Sequence, residues 1–236
     1  MLIRHAKFFN MGLLLAVTFL GALFLIFQPL FDGKNGLEFA DDLFNKLSKG
    51  SSYFIPEVLK GNEKLIGTNF SVNIKLDKPD QGANAVTLLT GNGAQAAVQD
   101  THLTISGDLG KLLGGILRDS EEMYHNDGSK VAGRYGFQEM DAMALWWSML
   151  TKMNKEFQKE KKLAESELVM KVLQRAIEPA YNYYGVIPEK VSGKAFTVIG
   201  LLAFYVFYTL WWGYAVFYLF DGIGLTMKKA KTKKEV

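Results

Sequence analysis

The sequence predicts an extracytoplasmic α+β domain, a small antiparallel sheet plus a helical pair, held between two transmembrane helices. Three observations carry that expectation. Residues 195–220 form a run of 26 without a charged side chain. Residues 8–31 form a second apolar run, broken only by Asn10, Thr18, Gln28 and Pro29. A helix rises about 1.5 Å per residue, so about 20 apolar residues cross a hydrocarbon core about 30 Å thick. The third observation is the ordinary soluble composition of residues 32–194, which carry 20 Lys+Arg against 22 Asp+Glu.

The formal net charge of +3 comes from the ends of the chain. Arg4 and Lys7 precede the first run; Lys228, Lys229, Lys231, Lys233 and Lys234 follow the second. Positive charge flanks the cytoplasmic ends of spans, so both termini are expected in the cytoplasm. Residues 1–7 are then a cytoplasmic N-terminus, 8–31 the first span and 32–194 the extracytoplasmic domain. Residues 195–220 are the second span, and 221–236 a basic cytoplasmic tail. The expected location is the cytoplasmic (inner) membrane of a two-membrane cell, with a periplasmic domain. Large residues around Phe27, Leu30 and Phe31 argue for an uncleaved signal-anchor, since cleavage favours small residues.

In the domain, residues 37–47 recur apolar at three and four, which predicts a short amphipathic helix closed by Gly50, Ser51 and Ser52. Phe70, Val72, Ile74 and Leu76 alternate with polar residues, the pattern of a half-buried strand. Residues 85–89 are expected as a second strand, and 94–105 as a third, broken one. From Leu109 the period becomes helical, to about Tyr124, and Asn126-Asp127-Gly128 ends it. Residues 137–162 give the strongest soluble helix. Met140, Met143, Trp147, Leu150 and Phe157 fall on one stripe, with Trp146, Met149 and Met153 beside it. A partner helix over 168–184 is expected to kink at Pro179.

Composition excludes several chemistries. The chain has no cysteine, hence no disulfide, iron–sulfur cluster or thiolate zinc site. No basic stripe with interleaved aromatics marks the domain, so nucleic acid is not an expected partner. Neither G-x-x-x-x-G-K-[ST] nor G-x-G-x-x-G is present as a phosphate cradle. Glu122 and His125, at i and i+3, are the one weak metal-ligand candidate; di-iron bundles use such a pair twice, and here it occurs once. A polar helix end is the plainer reading. No catalytic residue, cofactor or firm metal site is expected.

The residues expected to bind a partner are aromatic. Trp146 and Trp147 are adjacent, so on a helix they point about 100° apart and one can be exposed. Tyr208, Trp211 and Trp212 fall near mid-span, away from the interfacial belts where Trp and Tyr usually collect. Their polar atoms need hydrogen-bond partners that lipid tails lack, which points to an integral-membrane protein partner or a second copy of the chain. Neither span carries an ionisable residue in its core, against a proton or ion path. The expected function is a non-catalytic accessory or scaffold subunit of a cell-envelope membrane complex. One alternative is an extracytoplasmic small-molecule sensor signalling through a separate subunit. Another is a metal-dependent or hydrolytic enzyme around Glu122 and His125.

Overall fold

A computed structural model describes residues 3–225. The chain divides into two units. One comprises residues up to Phe44 and from Lys190 onward; the other is Asn45–Glu189. The fold is mostly helical, with one three-stranded antiparallel sheet and two long apolar helices.

The first unit is built on α1 (Ala6–Ile26) and α10 (Ala195–Gly222), both long and apolar enough to cross a membrane. They run antiparallel and approach closely where side chains are absent. A Cβ on Gly12 would lie 2.6 Å from the Leu219 amide nitrogen, and one on Gly222 2.6 Å from Phe9 Cα. The amides of Arg4 and His5 both donate to the Gly222 carbonyl at 2.9 Å, satisfying a helix-end acceptor. Leu14, Val17, Phe24, Phe196 and Phe207 remain exposed on the outer faces. Helix α1 stops at Ile26, five residues short of the expected end. Pro29 has no N–H and disfavours helical backbone at Gln28 before it. The basic run after residue 225 lies outside the described residues.

The second unit begins within α2 (Gly36–Ser51) and continues through α3 (Ile55–Asn62), β1 (Asn69–Lys75), α4 (Gln81–Gly91), β2 (Gln95–Gln99) and β3 (His102–Asp108). Then come α5 (Leu109–Tyr124), α6 (Gly128–Tyr135), α7 (Glu139–Lys159), α8 (Leu163–Val172) and α9 (Glu178–Asn182). The sheet order is β1-β3-β2, with Val72 opposite Ile105 and Ile105 opposite Ala96. The predicted alternation of β1 holds: Phe70, Val72 and Ile74 are buried and their neighbours exposed.

Residues 85–89 are helical, not a strand. Ala85, Leu88 and Leu89 are all fully buried, at helical spacing. The region 94–105 is two strands, turned at Asp100 with φ +55°. Pro179 does not break the second helix of the pair. A π turn, Leu173–Ile177, precedes it, and the Glu178 amide reaches back five residues to the Leu173 carbonyl. Proline cannot donate to the carbonyl four residues earlier and its ring crowds that atom; the wider turn accommodates both constraints, so α8, the π turn and α9 stay continuous. Helix α7 is rotated from the expected stripe. Met143, Trp146, Leu150, Met153 and Phe157 are the buried row, and Trp147 faces out.

Candidate functional site

Helix α5 carries the densest set of ionisable groups. Its apolar side, Leu109, Leu112, Leu113, Ile116 and Leu117, is buried, and Asp119 comes with it at 0% exposure. A buried carboxylate needs partners. Asp119 Oδ2 accepts the Tyr135 hydroxyl at 2.5 Å and the Trp146 indole N–H at 3.0 Å, while Oδ1 accepts from Arg134. Arg134 also grips Glu122 with two bonds, 2.7 and 2.9 Å. Asn92 donates to the Tyr135 oxygen at 2.7 Å and accepts from Arg118 at 3.1 Å. Burial pushes Asp119 above the usual carboxylate value, against the opposing pull of Tyr135, Trp146 and Arg134. Tyr135 is pushed up to about 12, by burial first and the carboxylate second. The network joins the end of α4 with α5, α6 and α7 around the buried Asp119.

The weak metal-ligand candidates Glu122 and His125 are not brought together. Glu122 is committed to Arg134. His125 follows the last residue of α5, and its Nε2 lies 3.2 Å from Glu121 Oε1 instead. That same oxygen accepts the Tyr53 hydroxyl. Burial and then Glu121 push Tyr53 up to about 12. Among the described residues, no group of three or more His, Asp or Glu stands where it could hold a metal.

A second buried charge fastens the other end of the domain. Lys49 is 0% exposed, and its ammonium donates to Asn126 Oδ1 (2.9 Å), the Tyr183 carbonyl (3.0 Å) and the Val186 carbonyl (2.7 Å). Its three donors are spent on neutral acceptors. Burial lowers its pKa.

The two adjacent tryptophans have opposite fates. Trp146 is fully buried and its N–H is used by Asp119, so it presents nothing to a partner. Trp147 is 45% exposed and donates to Glu178 Oε1 at 3.1 Å. It stands between two hollows. One, of about 400 Å³, is lined by Ala144, Trp147, Ile177, Glu178, Tyr181 and Asn182. The other, of about 450 Å³, includes Asp77, Asp80, Asp141 and Ser148 along with Ala144 and Trp147. The π turn contributes Ile177 to the first hollow; such turns occur often at functional sites.

In α10, Trp211 finds its partner within the chain: its indole N–H donates to the Leu15 carbonyl of α1 at 3.1 Å. Phe19 packs between Tyr208 and Trp212, with centroids 4.4 and 4.7 Å away. The need of Trp211 for a separate protein neighbour is thereby removed. Trp212 remains 42% exposed.

Sequence reasoning missed Asp119, Arg134, Tyr135 and Lys49. Arg134 and Tyr135 lie on α6, an eight-residue helix too short for periodicity to declare. Asp119 had a signal: an acid at helical spacing from Leu112 and Ile116, on the apolar face of α5.

Comparisons with protein-family models, with curated proteins and with solved structures each returned no match.

Proposed function

We infer that the chain is a membrane-anchored, non-catalytic subunit that binds a partner protein of a cell-envelope complex. In this reading α1 and α10 span the cytoplasmic membrane, both termini face the cytoplasm, and the Asn45–Glu189 unit is presented on the outer side. The carrying observation is Trp147: a half-exposed indole, fixed through Glu178 and flanked by two hollows. Tryptophan is enriched among the few residues that carry most of the binding energy at protein interfaces. The ionisable groups of α5 support a non-catalytic reading, because Asp119, Glu122 and Arg134 are bonded to one another.

A small-molecule sensor is the second reading. In the core, the sheet meets α7 directly, with Phe70 and Phe157 edge to face at 6.1 Å, and the hollows beside them open at the surface. That favours a partner at the surface over a ligand enclosed in the core.

The test is purification of wild type and Trp147→Ala from native membranes in mild detergent. A stoichiometric partner retained by wild type and lost by Trp147→Ala, at unchanged melting temperature, is the expected result. A partner-free monomer from both, or equal retention by both, overturns the assignment of Trp147.

A further inference from the structure

A third cavity, of about 530 Å³, opens beside β1 and α7. It is lined by Asn73, Ile74, Lys75, His102, Lys152, Lys155 and Glu156. The fold concentrates positive charge here by two independent devices. Lys75 and His102 are direct cross-strand partners in the β1–β3 register. Lys152 and Lys155 are three apart on α7, hence on one face.

The acids nearby are already engaged. Glu156 holds Lys159 at 2.7 Å. Asp77 takes the Ser148 hydroxyl at 2.8 Å and the Lys152 ammonium at 2.9 Å, and these two neighbours hold it below the usual carboxylate range. The Lys152 nitrogen is withdrawn from solvent yet makes no well-formed hydrogen bond beyond that ion pair. An ammonium has three donors, and buried donors without acceptors are rare and costly. The unspent donors, on a residue that itself lines the cavity, point to an acceptor that the protein does not supply.

We propose that this cavity binds a phosphoryl group, free or carried on a lipid headgroup. Among the lining residues the cations are lysines, compact point charges that suit a tri-oxygen dianion; the planar fork that selects a carboxylate is arginine's. Lys75 and Lys155 add two exposed positive charges to the same lining, beside the Lys152 ammonium. The cavity is of a size that takes a small molecule. The site adjoins the second hollow beside Trp147 through the Asp77–Lys152 ion pair, but its phosphoryl-binding role does not depend on the role of Trp147.

The experiment uses the full chain in phosphatidylcholine nanodiscs, titrated with inorganic pyrophosphate and separately with short-chain phosphatidic acid, followed by phosphorus NMR. Saturable binding is expected, weakened about tenfold by Lys155→Gln or by Lys75→Gln, the loss of one charge-assisted contact. Both substitutions fall on exposed side chains outside the core. Lys130→Gln, a lysine elsewhere that pairs with Asp127, is the control for net charge and is expected to change nothing. Binding of pyrophosphate assigns a free phosphate; binding of phosphatidic acid alone assigns a lipid headgroup. Failure of both ligands to saturate overturns the proposal. So does binding that Lys155→Gln and Lys75→Gln leave unchanged, or that Lys130→Gln weakens equally.

Discussion

Replacing Asp119 by alanine is expected to be the most damaging single truncation of a polar side chain in the domain. The carboxylate is fully buried and accepts from Tyr135, Trp146 and Arg134. In Asp119→Ala, Arg134 keeps its two bonds to Glu122, so its charge is not orphaned. Tyr135 keeps only the Asn92 amide, which is a donor, and loses its acceptor. Trp146 loses its only hydrogen-bond partner inside the core. Each stranded donor costs about 1–3 kcal/mol, and breaking a buried pair as a whole costs about 3–5 kcal/mol. At about 2–4 °C per kcal/mol for a chain of this size, the melting midpoint falls by roughly 10 °C or more. The assay is thermal unfolding of the full chain in detergent, followed by near-ultraviolet circular dichroism, which reports tertiary packing around the tryptophans. Asp119→Ala and Tyr135→Phe are expected to be strongly non-additive, with a coupling of about 0.5–3 kcal/mol. A midpoint within about 2 °C of wild type, or simple additivity of the two, refutes the assignment of Asp119 as the hub.

Other outcomes follow from the same geometry. Asp119 is raised by burial, so the folded state holds its proton more tightly than the unfolded chain. Its contribution is therefore greatest below the ordinary carboxylate pKa of about 3.9 and declines as pH rises through the folded value. The stability difference between wild type and Asp119→Asn, measured by urea unfolding from pH 4 upward, is expected to shift against wild type with rising pH; a flat or opposite slope contradicts it. Lys49→Met removes three hydrogen bonds from a buried ammonium, while Asn126 Oδ1 keeps the Gly185 amide, the Tyr183 carbonyl the Val186 amide and the Val186 carbonyl the Asn126 side-chain amide. A loss of about 2–4 kcal/mol is expected in the same urea assay, with early proteolysis near residue 185; a neutral result shows that the lysine is dispensable. Gly12→Val places a branched side chain against the Leu219 backbone and is expected to separate α1 from α10 at a cost of about 1–3 kcal/mol. Thermal unfolding of the full chain in detergent reads that cost; a midpoint unchanged by Gly12→Val contradicts the close approach of the two helices.

The two apolar helices were legible in the sequence because charge-free length is a signal that needs no tertiary context. Strand β1 and helices α5 and α7 were legible because each buries one face. The reading failed where local preference and packing disagree. Val86 and Thr87 suggest strand, yet the burial of Ala85, Leu88 and Leu89 is helical. Pro179 marks a distorted stretch of helix, and that the distortion takes the form of a π turn before it cannot be foreseen from residue types. The phase of α7 was ambiguous because Trp146 and Trp147 are equally apolar. What separates them is where each finds its acceptor: Trp146 at the buried Asp119 of α5, Trp147 at the surface carboxylate of Glu178. The weak metal candidate Glu122/His125 is not assembled, for a similar reason, and the plainer reading of a helix end capped by His125 agrees with the structure. Arg134 on α6 claims the glutamate, and α5 ends before the histidine.

The most direct test of the membrane-anchored reading uses a property of the chain itself. It has no cysteine, so single introduced thiols can be labelled without background. Ser129→Cys lies on the exposed side of α6, and Thr232→Cys lies in the basic C-terminal segment. With a membrane-impermeant maleimide on intact inner-membrane spheroplasts, position 129 should react at once and position 232 only after lysis. Labelling of position 232 from outside, or protection of position 129 until lysis, contradicts a domain presented outside between two spans.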